Sequence, residues 1–320
     1  MQNTEPQEFT SINRGFDATF KIGKLTLGLV VPLARYAHSP VPDITDHLAR
    51  AKLAETLGFK ALWLRDVPFD VPSFGDAGQL FDPFTYLGFL AGQTSEIALG
   101  VASIVLPLRH PAHVAKSAAS VDVLSEGRLI LGVASGDRPE EYPAMNKNFE
   151  QRGADFRASF DYIRAMQNSR PSFANSFGAL QGHMDMLPRP TGTHIPMLVT
   201  GSSRQSPEWV AKNSDGWMTY PRGGIAQETI LADWRAQVTQ TEQAPKPVLQ
   251  PLYIDLQDDP NAPAHLIHLG LSLGLNALTA YLKGLENLGV NHVALNLRFN
   301  TAEIDPTLER LARNVLPAFS

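Results

Sequence analysis

ALGVASIVLPLRHPAHVAKSAASVDVLSEGRLILGVASGDRPEEY, residues 98–142, is the stretch that decides the fold. With Ile97 before it, the segment opens on an apolar run reaching Val105, suited to a strand buried on both faces. Pro111 then heads a helical pattern that extends to Leu124; at a first helical position the missing N–H of proline has no partner to lose. A second apolar run, RLILGVAS (128–135), follows at once. Two buried strands joined through a helix make a parallel βαβ unit.

Outward from this unit the rhythm repeats. Upstream lie LTLGLVV (25–31), a helical pattern over 44–57 stopped by Gly58, FKALWLRD (59–66) and a helix opened by Pro83. Downstream the rhythm slows. Residues 137–195 hold one helical pattern (153–167) and a stretch with Gly178, Gly182 and Pro188, read as a hairpin or irregular insertion. Then come PMLVTG (196–201), a helix over 207–213, GWMTY (216–220), a helix over 227–240 and PVLQPLYIDL (247–256). A helix over 276–288, HVALNLR (292–298) and a helix over 306–315 finish the series.

Eight such β/α units, with apolar strands, favour an α/β fold of the closed (β/α)8 TIM-barrel kind over an open doubly wound sheet. The expected organisation is an N-terminal extension over 1–20 and one barrel domain over 21–320. An insertion at about 137–195 falls between the fourth and fifth strands.

Hydrophobic residues make up 43% and charged residues 18%, enough for one large core and against disorder. The net charge is −5 and no Lys/Arg block stands anywhere, so no nucleic-acid partner is expected. There is no cysteine, which excludes disulfides, thiolate metal sites and a Cys nucleophile, and which fits a reducing compartment. The start, MQNTEPQEFTSINRGF, lacks the apolar core of a secretory signal, and the longest mostly apolar run (97–108) is too short for a bilayer. A cytoplasmic protein with no membrane partner is the expectation.

Several chemistries lack their motif. No GxGxxG follows the first strand, and neither GxxxxGK[ST] nor HExxH occurs. GVASG (132–136) puts its serine one place late for a nucleophile elbow. His110/His113 and His265/His268 are spaced HxxH but lack a third ligand, so they read as loop or surface histidines and no metal is expected.

In a barrel, chemistry gathers at the C-terminal strand ends. The most informative is TGSSRQS, from Thr200 to Ser206 ahead of Pro207. Gly201 permits close backbone approach, Ser202, Ser203 and Ser206 offer hydroxyls, Arg204 a charge, and the helix start free N–H groups. This is a phosphate cradle or, equally, a simple N-cap. Ser135 and Gly136 end the fourth strand, and DRPEEY (137–142) either covers a ligand or forms a solvated loop. Arg65 and Asp66 read as a rim ion pair or a substrate contact, and Trp63 and Trp217 as wall residues before site residues.

Four blocks carry a family resemblance: GFKALWLRDVP (58–68), the 98–142 stretch, LVTGSSRQSPEWVAKNSDGWMTYP (198–221) and LGVNHVALNLR (288–298). In order and spacing they resemble the bacterial luciferase-like flavin-dependent monooxygenases, over about residues 25–316. The resemblance implies a (β/α)8 barrel, usually dimeric, that binds FMN or, in some branches, the deazaflavin F420. In the FMN branch it implies reduced FMN as a diffusible cosubstrate, supplied by a flavin reductase. O₂ then gives a flavin C4a-peroxide that oxidises a small organic substrate. An FMN- or F420-dependent dehydrogenase or reductase working by hydride transfer is the near alternative; the acidic balance disfavours F420. A non-catalytic flavin-binding protein is the alternative of another class, and the long insertion argues against it.

Carried over by motif, Ser103 lies where the third strand passes the flavin ring, with Ala102–Ser103 the candidate for a non-prolyl cis peptide. Ser135 and Gly136 match one half of the phosphate site. Gly201, Ser202 and Ser203 match the other half, and Thr200, Arg204 and Trp217 are further candidates for holding the cofactor. A reactive Cys and a neighbouring Arg of luciferase are Ala134 and Ser135 here, which weakens a reading as luciferase proper and passes the phosphate's counter-charge to Arg204 or Arg138. No residue announces itself as catalytic acid or base; His38, Asp66 and Tyr142 are the candidates at the mouth. Loops 34–43, 68–79 and 174–192 are the expected pocket walls, and they do not name the substrate.

Overall fold

The computed structural model describes residues 8–34, 36–74, 78 and 80–319. Arg35 and residues 75–77 and 79, which the sequence assigns to pocket-wall loops, lie outside the described residues.

The strands are β1 (Thr26–Val30), β2 (Ala61–Leu64), β3 (Ala98–Val105), β4 (Leu129–Ala134), β5 (Ser172–Asn175), β6 (Gly178–Gln181), β7 (Met197–Thr200), β8 (Gly216–Met218), β9 (Val248–Leu256), β10 (His265–Ile267), β11 (Gly270–Leu273) and β12 (His292–Asn296). The helices are α1 (Arg14–Thr19), α2 (His47–Thr56), α3 (Pro83–Ala91), α4 (Pro111–Leu124), α5 (Glu141–Ala144), α6 (Arg152–Met166), α7 (Pro207–Asn213), α8 (Gly224–Gln240), α9 (Leu275–Asn287) and α10 (Ile304–Asn314). Parallel pairing runs β9-β12-β1-β2-β3-β4-β7-β8, and β8 pairs back onto β9, closing an eight-stranded (β/α)8 barrel. These eight are the strands the sequence pattern predicts.

Local chemistry sets the helix starts. Prolines open α3, α4 and α7, each behind a side-chain cap. Asp82 accepts from the Thr85 N–H at 3.0 Å, His110 from Ala112 at 3.2 Å and Ser206 from Trp209 at 3.2 Å. The outer core is aliphatic: Leu62, Leu64, Leu99, Leu131 and Val133 point away from the barrel axis into the helix ring.

Alternate residues point inward and stack in layers. At the N-terminal end, Ile12, Phe16 and Phe20 of the α1 segment pack against Ala61, Ala98, Ile130, Leu198 and Leu249. Asn13 ties this plug down, accepting from the Phe16 N–H at 2.9 Å and donating to Asp122 at 2.9 Å and to the Leu129 carbonyl at 2.8 Å. The next layer holds Trp63, His292 and Met218. Two glycines make space for it: a Cβ on Gly100 would lie 2.3 Å from the Trp63 ring, and one on Gly132 would lie 2.6 Å from Met218.

Two features escape sequence periodicity. One is α1, only six residues long. The other is the β10–β11 hairpin, whose second strand pairs parallel to the C-terminal half of β9 and extends the sheet there. The β5–β6 hairpin packs on α6 and on the N-cap of α4, with Phe173 edge-on to Tyr162 at 4.9 Å and Phe177 of its turn beside His110 at 5.8 Å. Among the described residues no helix is long and apolar enough to cross a membrane.

Candidate active site

The site is built where β3, β4 and β7 end. The β3–β4 register shifts between Val101 and Ile104, and the Ala102–Ser103 peptide inside that bulge is cis, as the resemblance implies. The bulge turns Ser103 inward. Its hydroxyl makes a short hydrogen bond with the Thr200 hydroxyl of β7, although β4 stands between the two strands. The thioether of Met218 lies under both, 3.7 Å from the Ser103 oxygen and 3.3 Å from that of Thr200. A pair of hydroxyls on an apolar base therefore faces the barrel mouth.

Beyond Thr200 the chain turns through three residues of positive φ: Gly201 at 56°, Ser203 at 43° and Arg204 at 63°. Open space faces Gly201, where a Cβ would meet nothing within 4 Å. The turn is held from below. The Gly201 N–H donates to Met218 O at 2.8 Å, the Ser203 hydroxyl to Thr200 O at 2.8 Å and the Gln205 N–H to Ser202 O at 2.8 Å. The Gln205 side chain donates to Gly153 O at 2.8 Å and accepts from Arg157 at 2.9 Å, fastening the turn to α6. The N–H groups of Ser202 and Ser203 donate to nothing among the described residues. Successive amides in a left-handed turn form an anion-binding nest. The N-cap reading of TGSSRQS holds for Ser206, which caps α7, while Gly201, Ser202 and Ser203 form an open turn with Arg204 exposed beside it.

Residues 26–291 match the model of the luciferase-like monooxygenase family. The chain belongs to that family. An uncharacterised protein of Mycobacterium tuberculosis is 30% identical over 198 residues, covering 57% of this chain and 70% of its own. An F420-dependent secondary alcohol dehydrogenase, solved with an F420–acetone adduct, superposes with a TM-score of 0.76 at 15% identity, over 93% of this chain and 99% of that one. The oxygenating constituent of 3,6-diketocamphane monooxygenase from Pseudomonas putida, solved with FMN, superposes with a TM-score of 0.72 at 16% identity, over 92% and 98%. At these identities the structural likeness is one of fold. Membership makes the protein an oxidoreductase.

In this luciferase-like barrel the other residues singled out by sequence take distinct places. Trp217 faces outward from β8, stacked on Trp234 of α8 with centroids 5.2 Å apart. Its indole N–H donates to Gly201 O at 2.9 Å, so it reaches the cradle through the backbone. Ser135 is buried, and its carbonyl accepts the hydroxyl proton of Tyr142 in a short bond. Gly136 has φ 76°, and a Cβ there would lie 2.7 Å from the Tyr142 oxygen. Burial pushes the Tyr142 hydroxyl above its ordinary pKa, so it keeps its proton and anchors the β4 loop. His38 is exposed beyond β1.

Asp66, read with Arg65 as a rim ion pair or a substrate contact, is held by a distant arginine. Its carboxylate takes Arg109 in a two-pronged grip, at 3.0 and 2.7 Å, and the Val105 N–H at 3.0 Å. Arg109 also reaches Asp82 at 2.9 Å. The partner lies 43 residues away, a separation that no spacing rule reveals. A cavity of about 390 Å³ opens beside this cluster, walled by Pro68, Leu80, Phe81, Leu108 and Met145. Among the described residues no group of three acidic or histidine side chains is arranged to hold a metal.

One functional candidate, Glu141, was missed in the sequence, and another, Arg138, was offered only as a counter-charge for the phosphate. Arg138 and Glu141, inside the string read as a covering or solvated loop, are both buried. Burial, opposed by Arg138 and reinforced by Asp66, Asp137 and Glu140, pushes the Glu141 carboxyl up to about 7. Neither residue carried a periodic signal, because α5 is only four residues long.

Proposed function

We propose that this protein is a flavin-dependent monooxygenase that takes reduced FMN as a diffusible cosubstrate, with O₂, to oxidise a small organic molecule. The observation that carries the reading is the turn at 200–204, where two unpaired backbone N–H groups, the exposed Ser202 hydroxyl and the exposed Arg204 stand within three residues of the open space at Gly201. That donor set matches a terminal phosphate. The residues therefore fit the cofactor, with Gly201, Ser202, Ser203 and Arg204 at its phosphate and Ser103 and Thr200 toward its ring. When bound, reduced flavin supplies the two electrons that activate O₂; the protein supplies placement and shelter.

The chain's own residues act by position. The Ser103–Thr200 hydroxyl pair, backed by Met218, would offer one hydrogen bond to a bound flavin ring. Tyr142 and Gly136 hold the β4 loop against Val105. The apolar wall of Pro68, Leu80, Phe81, Leu108 and Met145 suits the body of an organic substrate and the exclusion of water. A homodimer is part of the proposal. Its support is the ring cluster of His47 on α2, Phe81 just ahead of α3, and Tyr86 and Phe89 on α3, in which Phe81 is 38% and Phe89 43% exposed. A separate flavin reductase would supply the reduced cofactor.

Anaerobic titration with reduced and then oxidised FMN, followed by flavin absorbance and protein fluorescence, tests this. Tight binding of the reduced form with weak binding of the oxidised form is expected. Binding of F420 with neither form of FMN would transfer the assignment to hydride transfer. Equally tight binding of both FMN forms, without O₂ consumption in the presence of organic substrates, would leave a flavin-binding protein.

A further inference from the structure

The guanidinium of Arg109 has three nitrogens, and the fold uses two of them. Nε and Nη2 grip the Asp66 carboxylate at 3.0 and 2.7 Å, and Nη2 also reaches Asp82 at 2.9 Å. Nη1, with two N–H groups, donates to nothing among the described residues. It is not sealed in: Nη1 is not a buried atom, and the side chain is 26% exposed. Arg109 lines the cavity of about 390 Å³ beside the barrel mouth, a volume that suits a small organic molecule. Apart from Arg109 and its two carboxylates the wall is apolar, from Val67 and Pro68 to Leu108 and Met145.

The charge around that open donor decides what it takes. Two carboxylates share one guanidinium, so an anion at Nη1 meets a cation already neutralised and a carboxylate left over to repel it. A neutral oxygen meets no such repulsion. A carbonyl oxygen accepts an N–H and asks for no acceptor in return, which suits a cavity that is apolar elsewhere. Asp66 and Asp82 fix the guanidinium before any ligand arrives, so little freedom is lost on binding. We propose that Arg109 is the specificity-determining residue of this cavity. Its Nη1 hydrogen-bonds the carbonyl oxygen of a neutral ketone, aldehyde or ester whose apolar body lies along Pro68, Leu108 and Met145, and the flanking Asp66 and Asp82 turn carboxylates away. As a substrate class this rests on the flavin reading above; as a binding preference it does not.

The test is an NMR titration of the purified protein, without flavin, using acetophenone, benzoate and α-methylstyrene: a ketone, its carboxylate analogue and a hydrocarbon of the same shape. Acetophenone should bind about tenfold more tightly than α-methylstyrene, the gain of one hydrogen bond to a charged donor. Benzoate should bind more weakly than either. Arg109→Lys keeps a cation for Asp66 but has no Nη1, so the ketone should lose its advantage while α-methylstyrene is unchanged. Asp82→Asn keeps a good helix cap and removes one carboxylate, so benzoate should gain severalfold while acetophenone stays the same. Circular dichroism checks that each variant folds. Failure of acetophenone to bind, benzoate or α-methylstyrene binding as tightly as acetophenone, or unchanged preferences in either folded variant overturns the proposal. If FMN does not bind and this pattern appears, the flavin reading falls and the subsite stands. If FMN binds and the pattern is absent, the subsite falls and the flavin reading stands.

Discussion

Trp63 and His292 meet inside the barrel, where the indole N–H donates to His292 Nε2 at 2.9 Å. That bond fixes the tautomer. Nε2 accepts, so Nδ1 carries the hydrogen and donates to the Thr26 hydroxyl at 2.7 Å, which in turn donates to Thr19 O at 2.6 Å. The relay joins the barrel's middle layer to the end of α1. A second proton on the imidazole would have no acceptor, and burial holds its pKa down to about 3.

This depression has a direction. The unfolded histidine protonates near ~6.5. The contribution of the neutral ring is complete above that pH and is lost as pH falls toward 3, by up to ~1.4 kcal/mol per pH unit. Urea denaturation at pH 7, 5.5 and 4.5 should show stability falling, and His292→Asn should be less stable at pH 7 but with a shallower slope. Equal slopes in the two proteins would mean that His292 titrates normally in the fold.

Gly132→Ala and Gly201→Ala should separate packing from binding. A Cβ at Gly132 would lie 2.2 Å from Val101 O, a backbone atom that cannot step aside. The cost is expected at ~1–3 kcal/mol, seen as a lower urea midpoint. At Gly201 there is space, but φ is 56°, so the cost is only ~1 kcal/mol while the new methyl intrudes on the cradle. FMN affinity should fall there with little loss of stability.

Thr200→Val removes a hydroxyl with almost no change of shape. The hydrogen bond to Ser103 goes with it, and the loss for a bound flavin is expected at ~1–1.5 kcal/mol, about tenfold in affinity. The variant should fold normally. Fluorescence titration with FMN reads the effect, and an unchanged affinity would place the flavin ring away from this pair.

Trp217→Phe keeps an aromatic ring against Trp234 but loses the donor to Gly201 O. The cradle backbone then loses one of its supports, worth ~1 kcal/mol. FMN should weaken severalfold and riboflavin, which has no phosphate, hardly at all. Equal weakening of both would show that Trp217 acts on the whole mouth and not on the phosphate turn.

Asp66→Asn distinguishes a structural carboxylate from an acid–base one. Arg109 would keep Asp82 but lose a partner whose side chain is only 3% exposed. Its own half-open position limits the penalty to ~2 kcal/mol. Stability should drop while the pH profile of turnover stays in place. A profile shifted in the variant would make Asp66 a proton-transfer group.

The barrel was legible because its signals are local. Leu99, Leu131 and Val133 sit in continuous apolar runs, and Pro83, Pro111 and Pro207 open helices by their own backbone chemistry, whatever surrounds them. Part of the site was legible for the same reason: TGSSRQS announces a glycine turn and a serine cap within seven residues. The six-residue α1 and the β10–β11 hairpin were not, because segments so short show too few repeats of either period.

The sequence by itself determined the eight β/α units and, after the fifth strand, the glycine turn and the serine cap of the helix that follows. Tertiary structure alone decided the partners. It brought Ser103 to Thr200 across β4, gave Asp66 to Arg109, turned Trp217 outward onto Trp234, and buried Arg138 and Glu141. These contacts cross between elements, and closure of the barrel sets their geometry, whereas propensity and periodicity act only between neighbours along the chain.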